Sequence, residues 1–397
     1  MELDFRPSPV PERPGLLIRD PYQYSDSTLI VPPPLVACLE CFDGEQTELE
    51  LRKALVDATG DLDVGELQEH LISTLSAAGF LLDGTFERMR EECERDFALA
   101  PERAASHAGS AYPESEDELR GTLNNYLGRG TPHAPDGLVG IAAPHVSPFG
   151  GWECYKAGYD ALSPEHAERT FVILGTSHYG EPDRFGLTRK PFVTPYGTAL
   201  TDVALVDELE RRAPKSVKME DYCHSFEHSI EFQVIFLQHL FGARVRIVPV
   251  LCGSFARSIY RGGMPEDNVD VAAFFDVFGD IAARESGRLL YVLGIDMAHM
   301  GRRYGDRFAA LADHGEMSEV AERDHARIDR VNASDAGGFW SQVQQRQDDL
   351  KWCGSSPLYT FLKTVPGLRG QLHKYQQWNI DEQSVVSFAG MSFRISE

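Results

Sequence analysis

Four short apolar runs constrain this chain more than any other feature. They occupy residues Leu138–Ala143, 170–175, 245–251 and 289–295. Runs of this length, rich in Val, Ile and Leu and without polar alternation, suit strands buried on both faces. Helical stretches at 153–162, 202–212, 227–241 and Val269–Arg284 fall between them. Strands alternating with helices imply a mainly parallel sheet flanked by helices, an α/β fold. An alternating run at 384–393 reads as a closing strand.

In open α/β sheets, ligands bind beyond the carboxyl ends of the strands. Here those ends carry Pro144-His145, Thr176-Ser177-His178 and Asp296-Met297-Ala298-His299. Three junctions thus deliver imidazole or carboxylate to one edge. A fourth segment, Cys223 to Glu231, opens a helix with His228 between Glu227 and Glu231, which lie one turn apart. Acids in a first turn also follow from the helix dipole alone. Imidazole with carboxylate suits Fe, Zn, Mn or Cu, and two histidines with a carboxylate suit non-haem Fe(II). His145, His178 and His228 are therefore the candidate ligands. Asp296 and His299 are candidates for ligand, supporting carboxylate or general acid/base.

The first 85 residues differ in texture. Residues 1–20 are proline- and charge-rich and read as extended. Residues 15–20 and 27–31 read as a hairpin, 33–42, 47–59 and 64–78 as helices, and 80–83 as a short strand. A hairpin, three helices and a small wing make a winged-helix α+β unit. Asp43-Gly44 before the 47–55 helix, then Leu71, Leu75 and Gly79-Phe80-Leu81, resemble the PqqD-like domains, or RiPP recognition elements. That resemblance implies peptide recognition. Residues 86–104 read as a helical linker and 105–397 as the α/β domain.

Composition narrows the partners. The net charge of −23 opposes nucleic acid and anionic membranes, and residues 43–85 hold only Arg52 and Lys53 as basic side chains. The first residues lack the pattern of a signal peptide, and no run reaches the ~18 apolar residues of a membrane helix. Seven scattered cysteines suit reduced thiols in the cytoplasm, and Cys38-x-x-Cys41 reads as part of a packed helix.

Several segments in order resemble the Memo family, whose members are also labelled AmmeMemoRadiSam system protein B. They are Ser106 to Pro113, Ala143-Pro144-His145 with Gly150-Gly151, Ile173 to His178, Glu227 to Glu231, Val248 to Leu251, Asp296 to His299, and Cys353-Gly354 with Pro357. The resemblance covers roughly residues 104–397. It implies a fold similar to class III extradiol (LigB-like) dioxygenases, with Fe(II) first and Cu or Zn as alternatives. It also implies that the metal-binding histidines fall on His145, His178 and His228. Where the family carries a Cys or Ser two places after the Asp, this chain has Ala298. Either three histidines then suffice, or Asp296, His299 or Glu227 completes the set. Val146-Ser147-Pro148-Phe149 also departs from the family pattern and alters the pocket wall.

The expected function is a non-haem metal-dependent oxidoreductase of dioxygenase type, acting on a small molecule or on a peptide delivered by the N-terminal unit. His299 would shuttle protons, Asp296 would orient, and Tyr179, Tyr196 and Glu231 would contact substrate. The alternatives are a non-catalytic metal- and ligand-binding module, or a metal-dependent hydrolase with Glu227 or Glu231 as base.

Overall fold

A computed structural model of the chain describes residues 3–128 and 137–395, in two compact units, Met1–Leu99 and Ala100–Glu397. In the first, β1 (Asp4–Pro7), β2 (Leu16–Arg19) and β3 (Thr28–Val31) form an antiparallel sheet in that order. The hairpin is the expected one, but the third strand comes from the proline-rich start of the chain. The expected strand at 80–83 does not form. There the Phe80 N–H bonds Leu75 O and the Asp83 N–H bonds Leu81 O, so these groups close turns. Residues Pro33–Phe42 wind as a 3-10 helix.

α1 (Glu48–Thr59) opens on a reciprocal capping box between Thr47 and Glu50, which satisfies two of the helix's orphan N–H groups. α2 (Gly65–Ala77) and α3 (Gly84–Leu99) follow. Ile18, Leu51, Leu55, Leu71, Leu75 and Phe80 belong to this unit's core. The stretch expected as a linker is divided between the units. Phe86 of α3 packs edge-on against Tyr24, whereas Arg103 is built into the second unit through backbone bonds to Pro191 and Val193.

The second unit runs α4 (Glu116–Leu127), β4 (Leu138–Ala143), α5 (Pro148–Tyr159), β5 (Thr170–Thr176), β6 (Phe185–Leu187), β7 (Phe192–Thr194), β8 (Gly197–Thr201), α6 (Val203–Arg212), β9 (Val217–Met219), α7 (His228–Phe241), β10 (Arg246–Cys252), α8 (Ala256–Arg261), α9 (Val269–Arg284), β11 (Leu289–Gly294), β12 (His299–Gly301), α10 (Glu316–Asn332), α11 (Ala336–Gln344), α12 (Ser355–Thr364), β13 (Leu368–Asp381) and β14 (Ser384–Ile395). Among the described residues, 11 strands share one sheet with the main order β12-β14-β4-β11-β5-β10-β6-β9.

The centre, β4-β11-β5-β10, is parallel, and the flanks are not: β14 lies antiparallel to β4, and β6 antiparallel to β10. The sheet is therefore mixed rather than mainly parallel. A helix crossover returns each central strand in the same direction. The chain instead finishes in the long hairpin β13–β14, whose second strand enters beside β4 in reverse.

No helix among the described residues is long and apolar enough to cross a membrane.

Candidate metal centre

The central strands bring the expected residues together. In register, Gly294 of β11 lies opposite both Ala143 of β4 and Gly175 of β5. His145, His178 and Asp296 therefore leave neighbouring strands at the same sheet edge. α7 supplies the fourth group. It is buried from Ser229 to Gln238, and its first turn lies hard against the sheet at two glycines. A Cβ on Gly175 would stand 2.5 Å from Ser229 Oγ, and one on Gly294 would stand 2.1 Å from Ser229 O. Only this close approach lets His228 face the strand ends.

The three imidazoles form one cluster. Ring centroids are 5.1 Å apart for His145–His178, 5.1 Å for His145–His228 and 5.2 Å for His178–His228. One ligand atom from each lies within 4.8 Å of the others. Two of the rings are oriented through hydrogen bonds at Nδ1, and the third has a carboxylate oxygen beside its Nδ1. His145 Nδ1 is 2.9 Å from Gly294 O, so it carries the proton. His178 Nδ1 lies 3.0 Å from Glu227 Oε2, and His228 Nδ1 lies 3.2 Å from Glu227 Oε1. In neutral His145 and His178 this leaves Nε2 as the nitrogen without the proton. A carboxylate or carbonyl behind a histidine is how metal sites fix the tautomer.

Glu227 stands behind the cluster rather than in it. Its carboxylate accepts from the backbone N–H groups of His178, His228 and Ser229 as well as from His178 Nδ1. Burial works against its charge, but His178 and His228 hold it well below the usual carboxylate range. Both of its oxygens are engaged in these bonds. Asp296 meets His145 twice: Oδ1 accepts the His145 backbone N–H at 2.9 Å, and Oδ2 lies 3.6 Å from His145 Nε2.

His299 turns Nδ1 toward Met297 O at 2.9 Å and Lys351 O at 3.1 Å, which fixes the proton there. The Tyr304 ring packs edge-on 5.0 Å away.

A thiol absent from the expected ligand set completes the group. Cys353 Sγ is 3.3 Å from His145 Nε2. Burial disfavours a thiolate, yet His145, His299 and His178 hold this thiol well below its ordinary range. In turn, burial opposes a charged His145, but Cys353 and Asp296 push it up to about 9. Ala298, where the family pattern carries a Cys or Ser, is held through its backbone. Its N–H and carbonyl are both bonded to Ser387 of β14. The signal for Cys353 was present in the Cys353-Gly354 motif, but the 53 residues between it and His299 hid their proximity.

Two expected site residues lie elsewhere. Glu231 is fully buried and bonded to Arg103, Tyr112, Ser106 and His107. Tyr196 bonds His239 Nδ1 at 2.8 Å. His239 is eleven residues beyond His228 on α7, about 16 Å along a helix axis, so Tyr196 is remote from the cluster. His224 is also outside it, with Nε2 on Gly186 O. Tyr179 is at the rim: it is 38% exposed and its ring lies 6.2 Å from His178. His107 approaches from the far side, its ring 5.7 Å from His228.

Fold and cluster together define an α/β protein with histidines gathered at the carboxyl edge of a mixed sheet. The family model for Memo-like proteins matches residues 103–392, and the chain belongs to that family. A MEMO1 family protein of Aquifex aeolicus is 26% identical over 384 residues, 95% of each chain, so that relative extends through the first unit too. One from Thermoplasma acidophilum is 33% identical over 64% of this chain and 82% of its own. The memo-1 homolog of Caenorhabditis elegans is 27% identical over 67% of this chain and 72% of its own.

Proposed function

We propose that the second unit is a mononuclear metal-dependent oxidoreductase centre held by His145, His178 and His228, with Cys353 as a fourth donor. The observation that carries this is the gathering of three imidazoles whose ligand atoms lie within 4.8 Å of one another, with hydrogen-bond acceptors behind Nδ1 of His145 and His178 and Cys353 Sγ 3.3 Å from His145 Nε2. Three imidazoles and a thiolate suit iron(II), copper or zinc, and the thiolate makes copper and zinc stronger competitors to iron than histidine and carboxylate alone would. Bound there, iron or copper would supply one-electron and oxygen chemistry. His299 would accept or return a substrate proton at Nε2, since its Nδ1 is committed to two carbonyls. Asp296 would hold His145, Glu227 would hold His178 and His228, and Tyr179 would meet substrate at the rim.

The reading extends to the first unit as a peptide-recognition element. Its support is the three-stranded antiparallel sheet and a cavity of about 800 Å³ lined by Phe5, Ile18, Leu39, Phe42, Leu75 and Leu82. The cysteines form no disulfide among the described residues, which suits a reducing compartment such as the cytoplasm.

Metal analysis of the protein purified with and without oxygen tests the centre. Near-stoichiometric iron or copper, lost in His145→Ala, is expected; a chain that takes up no metal refutes it. Oxygen uptake by the loaded protein with a peptide encoded beside its gene tests the chemistry. Metal and peptide binding without any turnover would favour a binding module. Phe5→Glu and Leu82→Glu, at side chains 51% and 74% exposed, should abolish peptide binding without unfolding the unit.

A further inference from the structure

Asp324 lies on α10, outside every motif that carries the cluster, and its side chain is sealed from solvent. A buried carboxylate is costly unless its lone pairs are filled. Here three side chains fill them. Trp352 Nε1 donates to Oδ1 at 2.6 Å, and Ser387 Oγ and Tyr375 OH donate to Oδ2 at 2.6 and 2.7 Å. Burial still leaves the carboxyl above its ordinary range, against the pull of those three donors and of Arg327.

The placement of the donors is what matters. Trp352 immediately precedes Cys353, and its ring is covered by the Arg327 guanidinium 5.2 Å away. Ser387 grips the turn between Asp296 and His299. Its hydroxyl accepts the Ala298 N–H at 2.8 Å, its N–H donates to Ala298 O, and its carbonyl accepts the Met297 N–H. One carboxylate therefore ties together the two limbs that meet at His145: the Cys353 limb and the Asp296–His299 limb. The third donor, Tyr375, belongs to β13 and reaches the limbs only through Asp324 and the Ser387 hydroxyl beside it.

We propose that Asp324 is the positioning residue of the centre, setting the Cys353 thiol and the Asp296–His299 turn against each other from behind. This rests on the metal reading above. Sites of this kind need their ligands held to within about 0.5 Å, which a supporting hydrogen-bond network does and isolated loops do not. With Asp324 gone, the Ser387 hydroxyl loses the acceptor that aims it at Ala298 N–H, and the Trp352 indole is left with an unmatched donor.

Cobalt(II) titration of the full-length protein tests this, reading affinity and the near-ultraviolet absorption of a cobalt–thiolate bond. Ser387→Ala and Trp352→Phe each cut one limb and should weaken cobalt binding about ten- to a hundredfold and diminish the thiolate band. Tyr375→Phe removes a donor from the same carboxylate but should leave both readings near the unmodified protein. Asp324→Asn should match the first pair; should it not fold, the three milder variants carry the comparison. Site-resolved alkylation of Cys353 in the metal-free chain adds a reading that needs no metal: faster in Ser387→Ala, unchanged in Tyr375→Phe. Equal affinity, band and alkylation in all folded variants would overturn the proposal, as would equal losses in Tyr375→Phe. If the unmodified protein binds no cobalt, the metal reading falls, and the alkylation pattern still decides whether Asp324 sets the position of Cys353.

Discussion

Replacing Arg103 by Met should be among the most damaging single changes in the second unit. The side chain is 1% exposed. Its Nε donates to His224 O at 2.7 Å, and its terminal nitrogens reach Ala104 O, Glu227 O at 3.0 Å, Ser106 Oγ and the carboxylate of Glu231. Met fills much of the volume but satisfies none of these groups. Removing one partner of a buried ion pair costs about 3–5 kcal/mol, and each stranded carbonyl about 1–3 kcal/mol more, though not additively. Against a typical total of about 5–15 kcal/mol, a loss of at least ~4 kcal/mol is expected from the pair and one carbonyl.

The His224 and Glu227 carbonyls flank the start of α7, so metal affinity should fall with stability. Urea unfolding followed by second-unit fluorescence measures the loss. The companion Glu231→Gln removes the stranded charge, so the double variant should be more stable than the two single losses predict. Strict additivity, or a loss under ~1 kcal/mol, would refute the pairing argument. The pH dependence has a fixed sign. Burial raises the Glu231 carboxyl, but Arg103 and His107 hold it well below its ordinary 4.5. The stability this contributes is fully present above about pH 4.5 and drains away as the pH falls below it. Glu231→Gln should flatten the acid limb of a stability–pH curve.

Other changes act nearer the centre. Cys353→Ser should remove the metal–thiolate absorption while leaving the fold intact; a retained band would assign it to another cysteine. Glu227→Gln should lower metal affinity about ten- to a hundredfold, by loosening His178 and His228 together; unchanged affinity in a metal titration would argue against the orienting role. Gly175→Ala should destabilise by about 1–3 kcal/mol, because its methyl would stand 2.5 Å from Ser229 Oγ; a neutral denaturation midpoint would show that α7 can move away from the sheet.

Much of the centre was legible in the sequence because it rests on local rules. A buried parallel strand announces itself as a short apolar run, and the residue after it lies at the ligand-binding edge. That logic reaches His145, His178 and Asp296 without any knowledge of strand order. It fails where the signal is not local. β13 was missed because both its faces stay half-exposed, so LRGQLHKYQQWNID has neither an apolar run nor a clear alternation. With β13 unseen, the antiparallel edge and the grip of β14 on Ala298 were unseen too.

Glu231 and Tyr196 were misplaced for a related reason. Spacing along a helix tells which residues share a face, but α7 is buried nearly all round, so a shared face need not be the open one. Residue type could not separate Glu227 from Glu231 either. Both are buried acids in one turn of one helix, and what divides their roles is their partners: two cluster histidines for Glu227, an arginine for Glu231. Cys353 and Asp324 mark the far limit of the same logic. Each acts on His145 or its neighbours from a separate, later segment of the chain, and only the folded sheet brings them there.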